Sequence, residues 1–381
     1  MAAVGPDYGF GLYVHWPYCA HICPYCDFNV YAAKARDSGP LLEAIIKDIK
    51  AHRAWLPEHP PLQSVFFGGG TPSLLNGAEI SQILRAAEAA FGFADGAEIT
   101  LEANPNDILK GAARDWRAAG VNRLSIGVQS LDDEALSFLG RDHDSASARA
   151  AIERVQPVFD DFSVDLIYAR PGQSPAAWQD ELSRALALGA PHLSLYELTI
   201  EERTAFGKRA ARGELIPMPD DDQADLYEIT QELCEAHGLP AFEVSNHAKA
   251  PQYESRHNHI YWANGDWIGV GPGAHGRISV DGQRYATEAA RRPTDYGQAP
   301  HPSREALSKN EIAREFLAMS LRPVSGLDLT RFQALFDRAL DPSTLSQLTE
   351  NGLARVTDDR LKLTAQGRLI ADHIAGLILP H

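Results

Sequence analysis

The chain has 381 residues, of which 44% are hydrophobic, and this length suits one large domain and a smaller one. The chain has 51 Asp and Glu residues and 35 Lys and Arg residues, which gives a net charge of −16. This charge argues against nucleic acid as a partner, because binding to a phosphate backbone depends on a basic surface. The N-terminus has no basic segment followed by an apolar core, and no apolar run could cross a bilayer, so we expect a cytoplasmic protein with reduced thiols.

Apolar strand patterns alternate with amphipathic helix patterns over the first half of the chain. The predicted strands are Phe10–His15, Ser64–Phe67, Glu98–Glu102, Arg123–Val128, Phe162–Ile167 and His192–Leu198. The predicted helices between them include Pro40–Trp55, Ile80–Phe91, Ile108–Ala119, Ser145–Val155 and Ala177–Leu188. Short, almost wholly hydrophobic strands alternating with helices are typical of a parallel sheet. Since eight units close a full barrel, the six units predict an α/β fold with a partial (β/α)6 TIM-like barrel, whose active face lies at the C-terminal strand ends.

A cysteine-rich segment follows the first predicted strand. It holds three cysteines within eight residues: Cys19, Cys23 and Cys26. This three-then-two spacing suits a [4Fe–4S] cluster held at three corners, with the fourth iron open to a ligand. A structural zinc site is the alternative, but it needs four closed ligands, and only His15, His21 or Asp27 could add a local fourth, at spacings unlike those of zinc knuckles.

Polar and glycine residues follow the other predicted strands at equivalent places. The second strand leads into Gly68–Ser73, the third ends at Glu102, the fourth is followed by Gln129, and Asp165 lies near the end of the fifth. A run of three glycines lets a ligand approach bare backbone. Read alone, Gly68–Pro72 could be only a tight turn, but its position beside the other strand ends predicts a shared site.

Two other features are assigned no chemical role. Cys234 lies in the helical pattern Ala224–His237, where we expect an ordinary buried thiol, so no disulfide framework is predicted. The segment Gly269–Ala274 resembles a dinucleotide-binding fingerprint, but Pro272 removes a backbone donor and no helix pattern follows. We therefore predict a loop there, which could border a ligand.

The last part of the chain has a different pattern. After the Pro- and Arg-rich stretch Arg291–Arg304, the predicted elements are the helices Glu311–Leu321, Leu329–Phe336 and Pro342–Asn351, a hairpin of Ala354–Val356 and Arg360–Leu363, and a last helix Thr364–Leu379. This order resembles a winged-helix module, so we predict domains at 1–290 and 305–381. Because Asp341–Glu350 contains no Lys or Arg, a lid, docking or dimer-contact role is expected for the module instead of DNA reading.

Together these motifs carry a resemblance to a known family. The pattern Tyr13-x-His-x-Pro-x-Cys19-x3-Cys23-x2-Cys26, with Gly-Gly-Gly-Thr-Pro after the second strand and Glu-x-Asn-Pro after the third, resembles the radical S-adenosylmethionine (SAM) superfamily. More narrowly, it is similar to the branch that contains oxygen-independent coproporphyrinogen III oxidase and heme chaperones. The resemblance implies that the open iron chelates SAM and that the reduced cluster can split its sulfonium to a 5′-deoxyadenosyl radical.

The resemblance also implies roles for individual residues. It makes Cys19, Cys23 and Cys26 the cluster ligands. It places the SAM contacts at Tyr13, Tyr25, Gly69, Gly70, Thr71, Glu102, Gln129, Arg141 and Asp165. A carboxylate can accept from ribose hydroxyls or an ammonium, and an arginine can pair with a carboxylate. The alternative for Arg141 is a solvated loop charge, and the residues after Asp165 differ from the Gly-Leu of many relatives.

Within this branch, two departures separate the chain from the oxidase. Phe28 stands where the oxidase has a further cysteine, and only a dozen residues precede Tyr13, so coproporphyrinogen decarboxylation is not expected. The segment His257–Trp262 matches a His-Asn-x-x-Tyr-Trp signature of the heme chaperones. Histidine is the usual proximal ligand of heme iron, so the resemblance implies heme binding at His257, with His259 as the other candidate. Judged from the residues alone, a packed aromatic corner is the alternative.

Three hypotheses of different classes follow. The first is a heme carrier with a SAM-ligated [4Fe–4S] cluster, the second a radical SAM enzyme acting on a tetrapyrrole or another substrate, and the third an interaction protein with a structural metal. For the carrier, the expected partners are heme, heme acceptors such as respiratory cytochromes, and an electron donor for the cluster. Contact with a membrane would be peripheral.

Overall fold

The computed structural model describes residues 4–33, 38–337 and 339–379, so the outer ends of both predicted domains lie outside the described residues. The strands are β1 (Phe10–Trp16), β2 (Tyr18–Cys19), β3 (Tyr31–Ala32), β4 (Leu62–Gly69), β5 (Phe93–Ala103), β6 (Arg123–Gln129), β7 (Phe162–Tyr168), β8 (His192–Glu197), β9 (Asn246–Ala248), β10 (Asp266–Val270), β11 (His275–Val280), β12 (Gln283–Glu288), β13 (Ser303–Ala306), β14 (Leu327–Asp328), β15 (Ala354–Thr357) and β16 (Arg360–Leu363).

The helices are α1 (Gly39–Trp55), α2 (Gly77–Phe91), α3 (Pro105–Leu109), α4 (Ala113–Ala119), α5 (Asp133–Phe138), α6 (Ser145–Val155), α7 (Pro175–Leu186), α8 (Ala205–Ala211), α9 (Asp220–Ala236), α10 (Arg256–Trp262), α11 (Pro293–Gln298), α12 (Lys309–Ser320), α13 (Leu329–Phe336), α14 (Pro342–Glu350), α15 (Ala365–Leu369) and α16 (Ala371–Ile378). Helix starts follow capping rules: Asn76 and Glu79 form a capping box at the start of α2, and Ser174 caps α7. No helix in the described ranges is both long and apolar enough to cross a membrane.

One large sheet organises the chain. Its eleven strands run in the order β13-β12-β11-β10-β1-β4-β5-β6-β7-β8-β9, and the six predicted units form the parallel run β1-β4-β5-β6-β7-β8. The predicted α/β fold with a partial barrel is therefore confirmed. Because neighbouring strands of this run are parallel, their C-terminal ends meet at one edge, which brings the cysteine segment, the glycine turn and the polar strand ends together.

The strands are apolar because both of their faces are covered. In β1 only Tyr13 is more than marginally exposed, and Phe10, Leu12 and Val14 are fully buried in the main hydrophobic core. Trp116 and Trp178 bring helices α4 and α7 into the same core, and each indole N–H donates to an oxygen, at 3.0 Å and 2.8 Å. Burial of such large aromatic surfaces stabilises the sheet–helix packing and holds the strand ends in place.

Three predictions of local structure were wrong. The segment Gly269–Ala274 is not all loop, because its first two residues belong to β10, a seventh parallel strand paired with β1. The predicted helix Ile108–Ala119 is two helices, interrupted at Gly111, whose φ of +95° is incompatible with a helix. The predicted last helix Thr364–Leu379 is likewise two helices, separated at Ile370, which has non-helical backbone angles.

The C-terminal residues form a small α+β unit of the predicted winged-helix type. Helices α12–α14 precede the β-hairpin, and the strand order of the small sheet is β14-β16-β15. Its hydrophobic cluster begins at Phe316, whereas the buried residues of the main core end at Tyr296. The domain limits 1–290 and 305–381 stay a prediction, which this separation of the cores favours.

Candidate functional site

The three clustered cysteines lie on a loop that is closed at its base. Strands β2 and β3 pair through Cys19 and Ala32 and so tie together the ends of the intervening segment, residues 19–30, which we call the cysteine loop. Cys19 is buried, while Cys23 and Cys26 are half-buried. Burial raises the pKa of Cys19 and raises that of Cys26 to about 11. Cys19 and Cys26 would therefore need a bound cation or cluster to exist as thiolates at neutral pH.

All three cysteines line one cavity of about 550 Å³, which we call the central cavity. It is bounded by the cysteine loop, the glycine turn after β4 and residues of β5 to β8 that face the barrel interior. Cys234 does not line it but is buried in α9, where burial raises its pKa to about 12. Among the described residues, no three His, Cys, Asp or Glu side chains are grouped closely enough to share one metal ion. A cubane [4Fe–4S] cluster does not require its three cysteines to lie so close together, because each cysteine binds a different iron.

A chain of hydrogen bonds through the half-buried Asn29 fixes the far end of the cysteine loop. The Asn29 side-chain amide donates to the carbonyl oxygens of Pro272 and Arg291, both at 2.8 Å. The Nε2–H of His15 donates to the Asn29 carbonyl at 3.0 Å, which leaves His15 Nδ1 to accept from the Tyr13 hydroxyl, also at 3.0 Å. The Gly269–Ala274 segment does not line the central cavity. Its structural contribution is to hold Asn29 and, through it, the cysteine loop.

The glycine turn packs tightly against the chain that leads into the cysteine loop. Gly69 has a φ of +110°, and a Cβ there would lie 2.6 Å from the His15 ring. A Cβ on Gly70 would lie 2.8 Å from the Tyr18 carbonyl oxygen and 2.9 Å from that of Trp16. Glycine is thus required at Gly70 by the backbone of the protein itself. Thr71 continues the contact, since its backbone N–H donates to Tyr18 at 2.9 Å.

The polar wall of the central cavity holds two carboxyl groups in a buried environment. The Gly69 N–H donates to Glu102 at 3.1 Å. Burial, reinforced by the nearby Asp165 charge, raises the pKa of Glu102 to about 8. Burial also raises the pKa of Asp165, although the hydroxyls of Ser125 and Ser163 donate to it at 2.6 Å and 2.7 Å. Two such carboxyl groups favour a ligand that brings positive charge or hydroxyl donors.

A half-buried cation, Arg141, also lines the cavity beside the cysteine loop. The Arg141 guanidinium donates to the Gly127 carbonyl at 2.9 Å and lies 3.4 Å from the sulfur of Cys23. It therefore contacts the cavity lining and is not the solvated loop charge that was the alternative. Tyr25 and Gln129 line the same cavity, and Gln129 has a φ of +67° at a bulge between β6 and β7. Such a left-handed conformation in a non-glycine residue is uncommon and redirects the strand end.

The structure brings most of the predicted site residues together, with two exceptions. The predicted residues that line the central cavity are Cys19, Cys23, Cys26, Tyr25, Gly69, Gly70, Thr71, Glu102, Gln129, Arg141 and Asp165. Tyr13 and His257 do not line it. The sequence reading missed Ser125, Ser194 and Tyr196, which do. Their signal was available, because they occupy alternate positions of predicted strands and so face the barrel interior with Asp165.

His257 lies beneath the central cavity, in a helix that covers the other end of the barrel. Helix α10 packs across the starts of β1 and β4: a Cβ built on Gly11 would lie 3.1 Å from Ile260 and 3.3 Å from His257. The N-terminal N–H groups of α10, those of Arg256 and His257, donate to the Glu98 carboxylate of β5 at 2.9 Å and 3.2 Å. A carboxylate at a helix N-terminus is a favourable cap.

The His257 ring has no free nitrogen. Its Nδ1 shares a hydrogen bond with the Ser64 hydroxyl and its Nε2 one with the Tyr261 hydroxyl, both 2.7 Å long. The side chain is 2% exposed and stacks on Phe66, with 5.1 Å between ring centroids. Burial lowers its pKa to about 3, so the ring is neutral. This geometry matches the packed aromatic corner that was the alternative for this segment. Heme binding at His257 stays a prediction, and the paired ring nitrogens do not favour it. His259 is partly exposed and pairs with Glu254 at 2.7 Å.

Known proteins similar to this chain belong to the superfamily that the cysteine motif indicates. The Radical SAM superfamily model matches residues 13–185, and the HemN C-terminal domain model matches residues 307–370. Heme chaperone HemW from Bacillus subtilis is 33% identical, over 96% of this chain and 98% of its own, and HemW from Escherichia coli is 34% identical, over 97% of each. A mouse relative, radical S-adenosyl methionine domain-containing protein 1, mitochondrial, is 34% identical over 97% of this chain and 87% of its own.

Among solved structures, the coproporphyrinogen III oxidase HemN from Escherichia coli aligns with a TM-score of 0.80 over 98% of this chain and 91% of its own. At 24% identity this likeness shows the fold alone. Membership of the radical SAM superfamily implies a [4Fe–4S] cluster and SAM, and the donor set in the central cavity, three cysteine sulfurs beside bare glycine backbone and buried carboxyl groups, fits both. The chain belongs to the HemW family of the radical SAM superfamily.

Proposed function

We propose that the chain is a heme chaperone, which holds a SAM-ligated [4Fe–4S] cluster in the central cavity and transfers heme to acceptor hemoproteins. The observation that carries this proposal is the near full-length similarity to HemW proteins, at 33% to 35% identity, in a chain whose cysteines and polar strand ends share one cavity. Heme acceptors such as respiratory cytochromes, and an electron donor for the cluster, belong to the same proposal.

The residues of the central cavity have separate tasks in this proposal. Cys19, Cys23 and Cys26 would hold three irons and leave the fourth open. Arg141, which lies beside Cys23, would pair with the carboxylate of SAM, and the backbone of Gly69 and Gly70, which line the cavity, would lie beside its methionyl group. When bound and reduced, the cluster supplies an electron that can split the sulfonium of SAM.

The two buried carboxyl groups would hold the rest of the ligand. Glu102, fixed by the Gly69 N–H, would face positive charge on SAM, while Asp165, which already accepts from two serine hydroxyls, would accept from ribose hydroxyls. Tyr25 lines the same wall. Since these groups are preorganised by contacts within the barrel, little rearrangement is needed when SAM binds.

Heme binding and transfer test the proposal directly. Anaerobically reconstituted protein should bind heme at about one equivalent per chain and pass it to an apo-hemoprotein faster than the heme dissociates into solution. With reduced cluster and SAM present, it should form no vinyl product from coproporphyrinogen III. Oxidase turnover would replace the proposal with a tetrapyrrole-modifying radical SAM enzyme. Absence of both heme binding and turnover would leave a radical SAM protein with another substrate.

A further inference from the structure

The central cavity has an outer, apolar part that the SAM contacts leave unused. In the described part of the chain, nine large apolar or aromatic side chains are exposed, and three of them line this cavity: Ile22, Phe28 and Tyr196. Phe28 is 58% exposed, which is unusual for a phenylalanine without a partner. Two lie on the cysteine loop and the third at the end of β8, so apolar surface faces the cavity from both of these elements.

One histidine of the same cavity wall is available as a ligand. Two histidines line the central cavity, His21 and His192. The His192 side chain is fully buried: its Nδ1 is bonded to the Ser163 hydroxyl at 2.9 Å, and its Nε2, although unpaired, has no access to solvent. His21 is exposed, and within the described ranges neither of its ring nitrogens has a hydrogen-bond partner. An exposed imidazole beside apolar surface has the chemistry that heme iron and its macrocycle require.

The position of His21 also suits a carrier. A carrier must pass its cargo on, so the bond to the cargo has to be reachable from outside. His21 lies on the cysteine loop at the C-terminal end of the barrel, where it lines the cavity and is exposed to solvent. His257 lies at the opposite end, where a ligand would first have to displace both Ser64 and Tyr261 from its ring and open the aromatic packing.

We propose that heme binds in the outer part of the central cavity, with the His21 imidazole as an axial ligand of the iron and Ile22, Phe28 and Tyr196 as apolar surface for the macrocycle. This inference rests on the proposed heme-chaperone function. It places heme next to the cysteine loop, since His21 is two residues from both Cys19 and Cys23. It also gives Phe28 a role at the position where the oxidase branch has a cysteine.

Heme titration of the full chain with reconstituted cluster tests the assignment, with hemin as the probe and absorption and EPR spectra as readouts. His21→Ala should bind hemin at least tenfold more weakly and lose the spectrum of a histidine-ligated iron, and added imidazole should restore both. His21→Met should retain binding with the shifted spectrum of a methionine ligand. His275→Ala is the matched control, because His275 is an exposed histidine outside the cavity, and it should behave as the wild type.

The outcomes separate this inference from the function on which it rests. If the wild type binds hemin and His21→Ala binds it with the same affinity and spectrum, the His21 site is wrong and the chaperone function stands. If His21→Ala changes iron content or the EPR signal of the cluster and leaves hemin binding intact, His21 is a cluster residue, which also overturns the inference. If the wild type binds no hemin, both proposals fail. Phe28→Ser, which does not alter the ligand, should weaken hemin binding and leave SAM affinity unchanged.

Discussion

The two ends of the barrel use the same kinds of side chain in opposite ways. At the C-terminal end, His21 and Phe28 are exposed on a loop that borders a cavity. At the N-terminal end, His257 of α10 is buried and stacks on Phe66, which lines the inner side of the same cavity, and both nitrogens of the His257 ring are paired. Histidine beside an aromatic ring therefore indicates neither a ligand site nor a structural corner until its burial is known. Exposed side chains without hydrogen-bond partners can bind and release a ligand, whereas buried side chains with all polar atoms paired stabilise a rigid structure.

The largest expected effect lies at the open end. Cys23→Ala should abolish the cluster, because a cluster held at three corners cannot lose one of its protein ligands. The variant also removes the sulfur that lies 3.4 Å from the Arg141 guanidinium. Iron and sulfide content after anaerobic reconstitution is the measurement. Cys234→Ala, at a buried thiol outside the cavity, should keep its iron. Unchanged iron in Cys23→Ala would refute the cluster assignment.

At the closed end, the expected effect is on stability. His257→Ala leaves the hydroxyls of Ser64 and Tyr261 without their partner in a buried site, which costs about 1–3 kcal/mol per unpaired group, in addition to the lost ring packing. Denaturant unfolding should therefore show a free energy of unfolding lower by several kcal/mol. His259→Ala, on the same helix but partly exposed, should change it by about 1 kcal/mol or less.

This comparison would be contradicted by two results. If His257→Ala is as stable as the wild type, α10 is not the rigid floor that its hydrogen bonds indicate. If His257→Ala is stable and also loses the histidine-ligated heme spectrum, then the floor opens to admit heme, and the two ends of the barrel are alike in function.

The smallest expected effect concerns the protonation of Glu102 and its influence on SAM affinity. Because burial and Asp165 raise the pKa of Glu102 to about 8, ligand-free protein holds this carboxyl protonated at neutral pH. SAM is cationic and favours the ionised form of Glu102. Below about pH 8, binding of SAM should therefore release a proton from this carboxyl group. SAM affinity at constant iron should rise by up to about tenfold per pH unit up to about pH 8 and then level off. Glu102→Gln should give a flat profile over this range, and a wild-type profile in that variant would remove Glu102 from the SAM site.

The same raised pKa affects the ligand-free fold. The native state holds a proton that the unfolded chain releases at the ordinary pKa of a glutamate, so the free energy of unfolding falls as pH rises from that value to about 8. Glu102→Gln should remove the part of this slope that Glu102 contributes, while other carboxyl groups with raised pKa values, such as Asp165, keep theirs. Measuring the slope with and without the substitution separates the charge of Glu102 from its role in ligand binding.

How much the sequence could predict depended on how local each signal was. The six parallel strands were correct because each is a continuous apolar run, and the position of Glu102 and Asp165 in one cavity followed from the common edge of parallel strands. Strand β10 was missed because Gly269 and the glycines that follow the strand resemble a turn, and because its partner, β1, is more than 250 residues away. The pairing of both His257 nitrogens could not be predicted either, since Ser64 is separated from it by 193 residues.

The hydrogen bonds to the Asn29 side chain have a consequence for biosynthesis. The carbonyl groups that accept from its amide belong to Pro272 and Arg291, which lie 243 and 262 positions later in the chain. Strand β1, which leads into the cysteine loop, is likewise paired on one side with the distant strand β10. A ribosome-bound chain that ends before Arg291 therefore has its cysteines but lacks the contacts that set their loop. We expect the iron–sulfur cluster to be inserted only after synthesis of the whole barrel, when β1 has paired with β10 and Arg291 has reached Asn29.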